Sequence, residues 1–130
     1  MSLKLRVASV ALLMSLSTAA AVAADCPAKS TQMDDIVAAI NAAPGCDAAM
    51  TVFGACEFGA SGDVQFGAAV EKKCEGDFLS RLTTPQKHAY QRDMDVCDRK
   101  YRNKSGTMYL SATAFCRAQI AQRYAHKTRK

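Results

Sequence analysis

Apolar side chains recur every three or four positions through most of this chain and almost nowhere alternate with period two, a pattern that predicts helices. Met33, Ile36, Val37 and Ile40 form the first stripe, with Ser30 or Thr31 placed to cap it and Pro44-Gly45 to stop it. Ala49, Val52, Phe53 and Cys56 give a short second helix, and Gly59-Ala60-Ser61-Gly62-Asp63 reads as a turn. Phe66, Val70, Cys74, Phe78 and Leu82 then repeat at four-residue spacing, which predicts a third helix weakened around Gly76. Thr83-Thr84-Pro85 is the clearest start signal, because threonine caps free amides and proline suits the first helical position. The fourth helix puts Tyr90, Met94, Cys97 and Tyr101 on its apolar face, with Asp95–Arg99 and Asp98–Arg102 as i, i+4 pairs toward solvent. Asn103-Lys104-Ser105-Gly106 breaks it. The last helix carries Tyr109, Ala112, Cys116, Ile120 and Arg123 on one face, Phe115 and Tyr124 beside it, and frays into the basic tail His126-Lys127-Thr128-Arg129-Lys130.

The first 24 residues stand apart from this pattern. Lys4 and Arg6 precede a short apolar stretch around Ala11-Leu12-Leu13-Met14, and Ala19-Ala20-Ala21-Val22-Ala23-Ala24 follows. These are the three parts of a secretory signal peptide, with cleavage expected after Ala23 or Ala24. The alternative, an uncleaved anchor, is weakened by Ser15, Ser17 and Thr18 inside a stretch that would need about 20 apolar residues to span. No second apolar run follows, so no transmembrane span remains once the signal is removed. The expected product, residues 25–130, is one domain located in the periplasm or secreted.

Export gives the six cysteines their meaning. Cys26, Cys46, Cys56, Cys74, Cys97 and Cys116 all follow the signal, and an even number in a small exported chain predicts a disulfide framework. No Cys-x-x-Cys occurs, and His88 and His126 have no ligand at zinc-binding spacing, so no metal or other cofactor is expected. Cys97 and Cys116 lie almost equally far from the turn near Ser105-Gly106, which favours their pairing across an antiparallel hairpin. Cys26 with Cys46 is disfavoured, since a helix between them would hold its ends roughly 20 Å apart. The other pairings stay open. The expected fold is therefore all-α, a small disulfide-stapled bundle of four to five short helices.

Charge divides the chain in two. Asp25 to Ser80 holds 3 basic and 9 acidic residues, while Arg81 to Lys130 holds 12 basic and 3 acidic. Oppositely charged hairpins packing together would account for this. The functional alternative is an anionic partner, a membrane surface or envelope polymer, bound through Arg99, Lys100, Arg102, Lys104, Arg117 and Arg123. Nucleic acid is disfavoured, because export removes the chain from most of it and no aromatic stacking platform is interleaved with the basic residues. A basic partner would instead be met by Asp34, Asp35, Asp47 and Glu57, with Asp63 in the same half.

Catalytic groupings are absent from the pattern, and a non-enzymatic role is expected ahead of a hydrolase. His88 reads as a solvated helix-surface residue facing Arg92 at i+4, and the carboxylates of Asp34-Asp35 and Asp93-x-Asp95 diverge on a helix. The glycines Gly59, Gly62 and Gly67 follow no phosphate-loop order. Asn103-Lys104-Ser105 is formally a glycosylation acceptor.

Ala89-Tyr90-Gln91-Arg92-Asp93, Cys97, Gly106-Thr107-Met108-Tyr109, Cys116-Arg117-Ala118 and Arg123 together resemble the end of the LprI-like lysozyme-inhibitor domain. The likeness covers about residues 85 to 124, with three residues between Asp93 and Cys97 where the family has two. It matches Cys46 and Cys56 to the family's first cysteine pair and makes Cys26 and Cys74 additions. It implies a helical, disulfide-linked envelope protein that blocks a lysozyme. Two expectations follow: an exported envelope binding protein acting as a lysozyme inhibitor on a protein partner, or a surface-associated protein holding anionic membrane or polymer through its basic half.

Overall fold

A computed structural model describes residues 25–129; the signal-peptide reading of residues 1–24 lies outside them. Five helices follow one another: α1 (Met33–Ala42), α2 (Cys46–Cys56), α3 (Asp63–Phe78), α4 (Thr84–Lys100) and α5 (Thr107–Lys127). A 3-10 turn, Leu79–Arg81, joins α3 to α4, and no strand occurs among the described residues. The fold is the expected disulfide-stapled helical bundle. No helix among the described residues is long and apolar enough to cross a membrane.

Helices α3 and α5 form its axis and run parallel. Asp63 meets Ser111, Glu71 meets Arg117, and Phe78 lies against Tyr124 in order along the pair. Between the first two, a Cβ added to Gly67 would stand 2.9 Å from the Ala114 Cβ and 3.0 Å from its carbonyl oxygen. The buried stripe of α5 is Ser111, Ala114, Ala118, Ala121 and Ala125, all small, joined by Ile120 and Tyr124. This corrects the expected face: Tyr109, Ala112 and Cys116 are half-buried and Arg123 is exposed. Alanine is small enough to admit neighbouring helices on several sides, and α5 packs against α2, α3 and α4.

Large side chains fill the space around this seam. Phe53, Phe66, Phe78, Ile36, Ile40 and Val70 are fully enclosed. Phe53 stacks on Phe115 with centroids 3.9 Å apart, and Phe78, Tyr90 and Tyr124 pack mutually with centroids 5.0–5.8 Å apart. The two buried tyrosines keep a partner for each hydroxyl, Tyr90 donating to Glu75 at 2.8 Å and Tyr124 to Asp93 at 2.9 Å. Burial, with the carboxylate at each hydroxyl, pushes both phenols above their ordinary range.

The bridges bind outer elements to this frame. Cys97–Cys116 ties α4 to α5 as expected, Cys46–Cys74 ties α2 to α3, and Cys26–Cys56 ties the leading segment to the end of α2. Cys46 and Cys56, matched to one family pair by the resemblance, are therefore bonded to different partners. The disfavoured Cys26–Cys46 bridge is not formed, and no described cysteine is free.

Helix starts differ from expectation in detail. Gln32, not Ser30 or Thr31, occupies the position before α1; the Ser30 hydroxyl accepts the Gln32 amide at 3.1 Å and donates to Asp35. Thr83 precedes α4 in a capping box with Gln86, whose Oε1 accepts the Thr83 amide at 2.8 Å, and Pro85 is the second helical residue. The third helix runs through Gly76 but ends at Phe78, so Leu82 is buried from beyond the 3-10 turn.

The tight seam yields opposite outcomes for two glycines of the same helix. Gly67→Val should lower stability by about 1–3 kcal/mol, since the obstructing atoms include backbone. At Gly76 a Cβ meets nothing within 4 Å, so Gly76→Ala should raise it by about 0.5–1 kcal/mol. Urea unfolding of the oxidised protein measures both, as shifts in midpoint at constant slope.

Candidate functional site

The carboxylates expected to meet a basic partner are divided by the fold. Asp34 and Asp35 lie in the first turn of α1 and Glu57 follows the end of α2, which the α1–α2 hairpin brings to the same end of the bundle. Asp35 is half-buried and engaged by Ser30, whereas Asp34 and Glu57 are exposed. Asp47 lies in the first turn of α2, at the opposite end. Its carboxylate takes Gln122 Nε2 at 2.8 Å, lies 2.6 Å from His126 Nε2 and takes Arg129 Nη1 at 3.1 Å. The expected fraying of the tail is corrected here: α5 stays helical through Lys127, and His126 and Arg129 close over α2 while Thr128 accepts from Arg81. Asp63 is no surface residue. It is fully buried, and its carboxylate takes the amides of Phe58 (2.8 Å) and Gly59 (2.9 Å) and the hydroxyl of Ser111 (2.6 Å), fixing the α2–α3 turn onto α5.

The six singled-out cations divide likewise. Arg117 is held by Glu71 through two parallel bonds of 3.0 and 3.1 Å and by Asp98 at 2.8 Å, joining α3, α4 and α5. Those bonds raise the guanidinium above its ordinary range, and burial pushes the Glu71 carboxyl up despite the cation beside it. Asp98 thus reaches across to Arg117 and not to Arg102. Among the described residues neither expected i, i+4 pair of α4 forms, and the ion pairs are Arg117 with Glu71 and Asp98, and Asp47 with His126 and Arg129. Arg123 is exposed but lies 13 residues beyond Leu110 on α5, roughly 20 Å along the axis.

Arg99, Lys100, Arg102 and Lys104 remain together. All four are exposed at the tip where α4 gives way to α5, and none has an acidic partner among the described ion pairs. Gly106 makes the turn there with φ of 111°, a conformation that a residue with a Cβ rarely adopts. Tyr101 and Tyr109 face each other across the turn with centroids 5.8 Å apart.

Large apolar side chains share this end of the bundle. Met108 is 63% exposed, Leu110 48%, Val64 46% and Phe58 44%, while the fifth such residue, Val96, lies on α4. Val64 and Leu110 wall a groove of about 330 Å³ floored by Ala68, Thr113 and Ala114. Leu110 and Thr113 continue it into a second hollow bordered by Tyr101, Arg102, Lys104 and Tyr109. Apolar and cationic surface therefore adjoin, and the two carboxylates that border these hollows, Glu71 and Asp98, are both held by Arg117. Periodicity gave no warning of this patch, because Met108 and Leu110 fall outside the expected α5 face and Val64 outside that of α3. The available signal was apolar residues left over once the helical stripes are drawn.

Among the described residues the remaining candidate groups are not brought together. His88 is exposed on α4 beside Arg92, and Asp93 is engaged by Tyr124 while Asp95 faces solvent. No group of three metal-ligating side chains occurs among the described residues. Against known proteins, the chain matches no family model, no curated sequence and no solved structure.

The Asp47 clamp carries its own pH signature. The bonds from Gln122 and His126 hold the Asp47 carboxyl at about 2, below its ordinary 3.8. A carboxyl whose folded pKa is depressed contributes stability in full above its unfolded value and loses it as pH falls toward the folded one. The clamp should therefore stabilise above about pH 4 and fade between about pH 4 and pH 2. Thermal unfolding from pH 6 to pH 2 should show Asp47→Asn melting below the parent at pH 6, with the gap closing across that window; a constant gap would refute the assignment.

Proposed function

We propose that this is an exported binding protein of the cell envelope, not an enzyme, which holds an anionic envelope surface through the α4–α5 tip. The observation that carries it is the group Arg99, Lys100, Arg102 and Lys104, exposed and without acidic partners while Arg117 beside them is neutralised internally. Helix-dipole complementarity accounts for Arg99 and Lys100, in the last turn of α4, but stability supplies no use for adding Arg102 and Lys104, whose repulsion with them works against the compact state. Three disulfides support an oxidising compartment, and the signal-like residues 1–24 supply the route.

The lysozyme-inhibitor reading rests on the resemblance and on Asp34 and Glu57, the exposed members of the acidic set at one end. Asp47 is engaged by Arg129 and His126 at the other end, so the set offers a basic enzyme a smaller face than its charges suggested.

Sedimentation of the oxidised protein with isolated envelopes separates the readings. Replacing Arg99, Lys100, Arg102 and Lys104 by Gln should weaken association by at least about a hundredfold, at about 1 kcal/mol per cation near an anionic surface. Raising salt should act in the same direction. Indifference to both would refute the proposal. Inhibition of a lysozyme, lost on Asp34→Asn with Glu57→Gln but kept in the four-cation variant, would establish the inhibitor in its place.

A further inference from the structure

We infer that the anionic surface is a lipid bilayer, and that the tip docks on it with Met108, Leu110 and Val64 entering the boundary between headgroups and acyl chains. This rests on the envelope-surface reading and adds to it the occupant and the mode. An anionic polymer would be met by the cations alone; it gives no account of why three large apolar side chains stand about half or more exposed beside them.

The arrangement suits a bilayer in three respects. Met108 lies in the first turn of α5, so it projects at the bundle's end, and Leu110 and Val64 border one groove beside it. Arg102 and Lys104 border the adjoining hollow, where headgroup phosphates would lie once the apolar groups are inserted. Tyr101 and Tyr109 sit half-buried between the two zones, an amphipathic pair at the depth where tyrosine rings favour the membrane–water interface. Since no described helix is long and apolar enough to span, contact is peripheral and reversible, an apolar wedge reinforced by charge. Asp98 borders the same hollow but is held by Arg117, and the other carboxylates at this end, Asp34, Asp35 and Glu57, lie at the start of α1 and just past α2, so docking requires the α4–α5 side to lead.

The chain has no tryptophan, which makes Met108→Trp a single reporter. The full oxidised protein is mixed with vesicles of phosphatidylcholine alone or with about a third phosphatidylglycerol. Binding to the anionic vesicles is expected, with emission of Met108→Trp shifting to the blue and quenched by lipids brominated along the acyl chain. Met108→Ser with Leu110→Ser should weaken binding about tenfold, and Arg102→Gln with Lys104→Gln about twenty-five-fold, at about fivefold per cation. These side chains are exposed, and unchanged circular dichroism and unfolding midpoints would show that the variants fold.

Binding that falls with the cations but ignores the two serines, with no blue shift, would overturn insertion and leave the envelope-surface reading standing. So would association with envelopes that survives lipid extraction, whether an envelope polymer or, if protease abolishes it, a protein is the partner. Failure on both vesicles and envelopes would remove the two proposals together.

Discussion

Helices α3 and α5 meet where neither backbone can be held away by a full side chain, at Gly67 against Ala114, and the rest of the bundle depends on that approach. A helix pair this close needs small residues along its seam, which α5 supplies from Ser111 to Ala125. Close approach then sets the register in which Asp63 reaches Ser111 and Glu71 reaches Arg117. A slip of one residue would rotate either helix by about 100° and separate both pairs. The seam buries little area per residue because alanine offers little. The larger contribution comes from the aromatic residues that close over it, Phe53 and Phe66 on one side and Phe78, Tyr90 and Tyr124 on the other.

Each half of the axis is stapled to an outer helix, α3 to α2 through Cys46–Cys74 and α5 to α4 through Cys97–Cys116. Such bridges contribute about 2–4 kcal/mol each by restricting the unfolded chain, which matters in a domain of this size. The division of charge works in the same direction. Glu71 and Asp47, from the acidic half, engage Arg117, His126 and Arg129 from the basic half. Opposite sign along the chain is thus partly an internal matter, the less functional of the two explanations that the sequence allowed. The exposed pairs add little individually, since solvent screens them; the Arg117–Glu71 pair is the better sheltered and spans the seam.

Much of this architecture was legible in the chain. Helices α1, α2 and α4 follow directly from apolar spacing and from the stops at Pro44-Gly45 and the start at Thr83, and one bridge followed from hairpin symmetry. What was not legible shares a physical cause: small and charged residues do not announce whether they are buried. Ala114, Ala118 and Ala121 read equally well as helix formers facing solvent, so the α5 face was drawn through Tyr109, Ala112 and Cys116 instead. Asp63 read as a turn residue and surface charge, but the two amides and one hydroxyl that satisfy it come from Phe58, Gly59 and the distant Ser111. Asp98 had Arg102 at the favourable helical spacing, yet Arg117 on the neighbouring helix won it. Local rules describe what an isolated helix would do; a bidentate guanidinium already fixed by Glu71 offers a carboxylate a better-ordered partner than a flexible arginine one turn away.

The candidate surface was half legible for the same reason. Four cations in six residues are visible in any reading, but whether each is neutralised depends on which acids the fold brings near. Packing removes Asp98 from their vicinity electrically and brings none of the other carboxylates into an ion pair with them. Helix termini sharpen the point. Arg99 and Lys100 occupy the last turn of α4, where positive charge complements the helix dipole, so stability alone accounts for them. Arg102 and Lys104 lead into the N-terminus of α5, whose first turn has no acidic residue, and there the same dipole opposes positive charge. Aspartate or glutamate there would complement the dipole, as in α1, α2 and α3; α4 also begins without one, but no cation pair leads into it. The departure from that rule coincides with Met108 and Leu110, apolar side chains set facing water on the same turn. Two unfavourable choices at one place, one electrostatic and one hydrophobic, would be relieved together by the proposed partner, a surface that is anionic outside and apolar within.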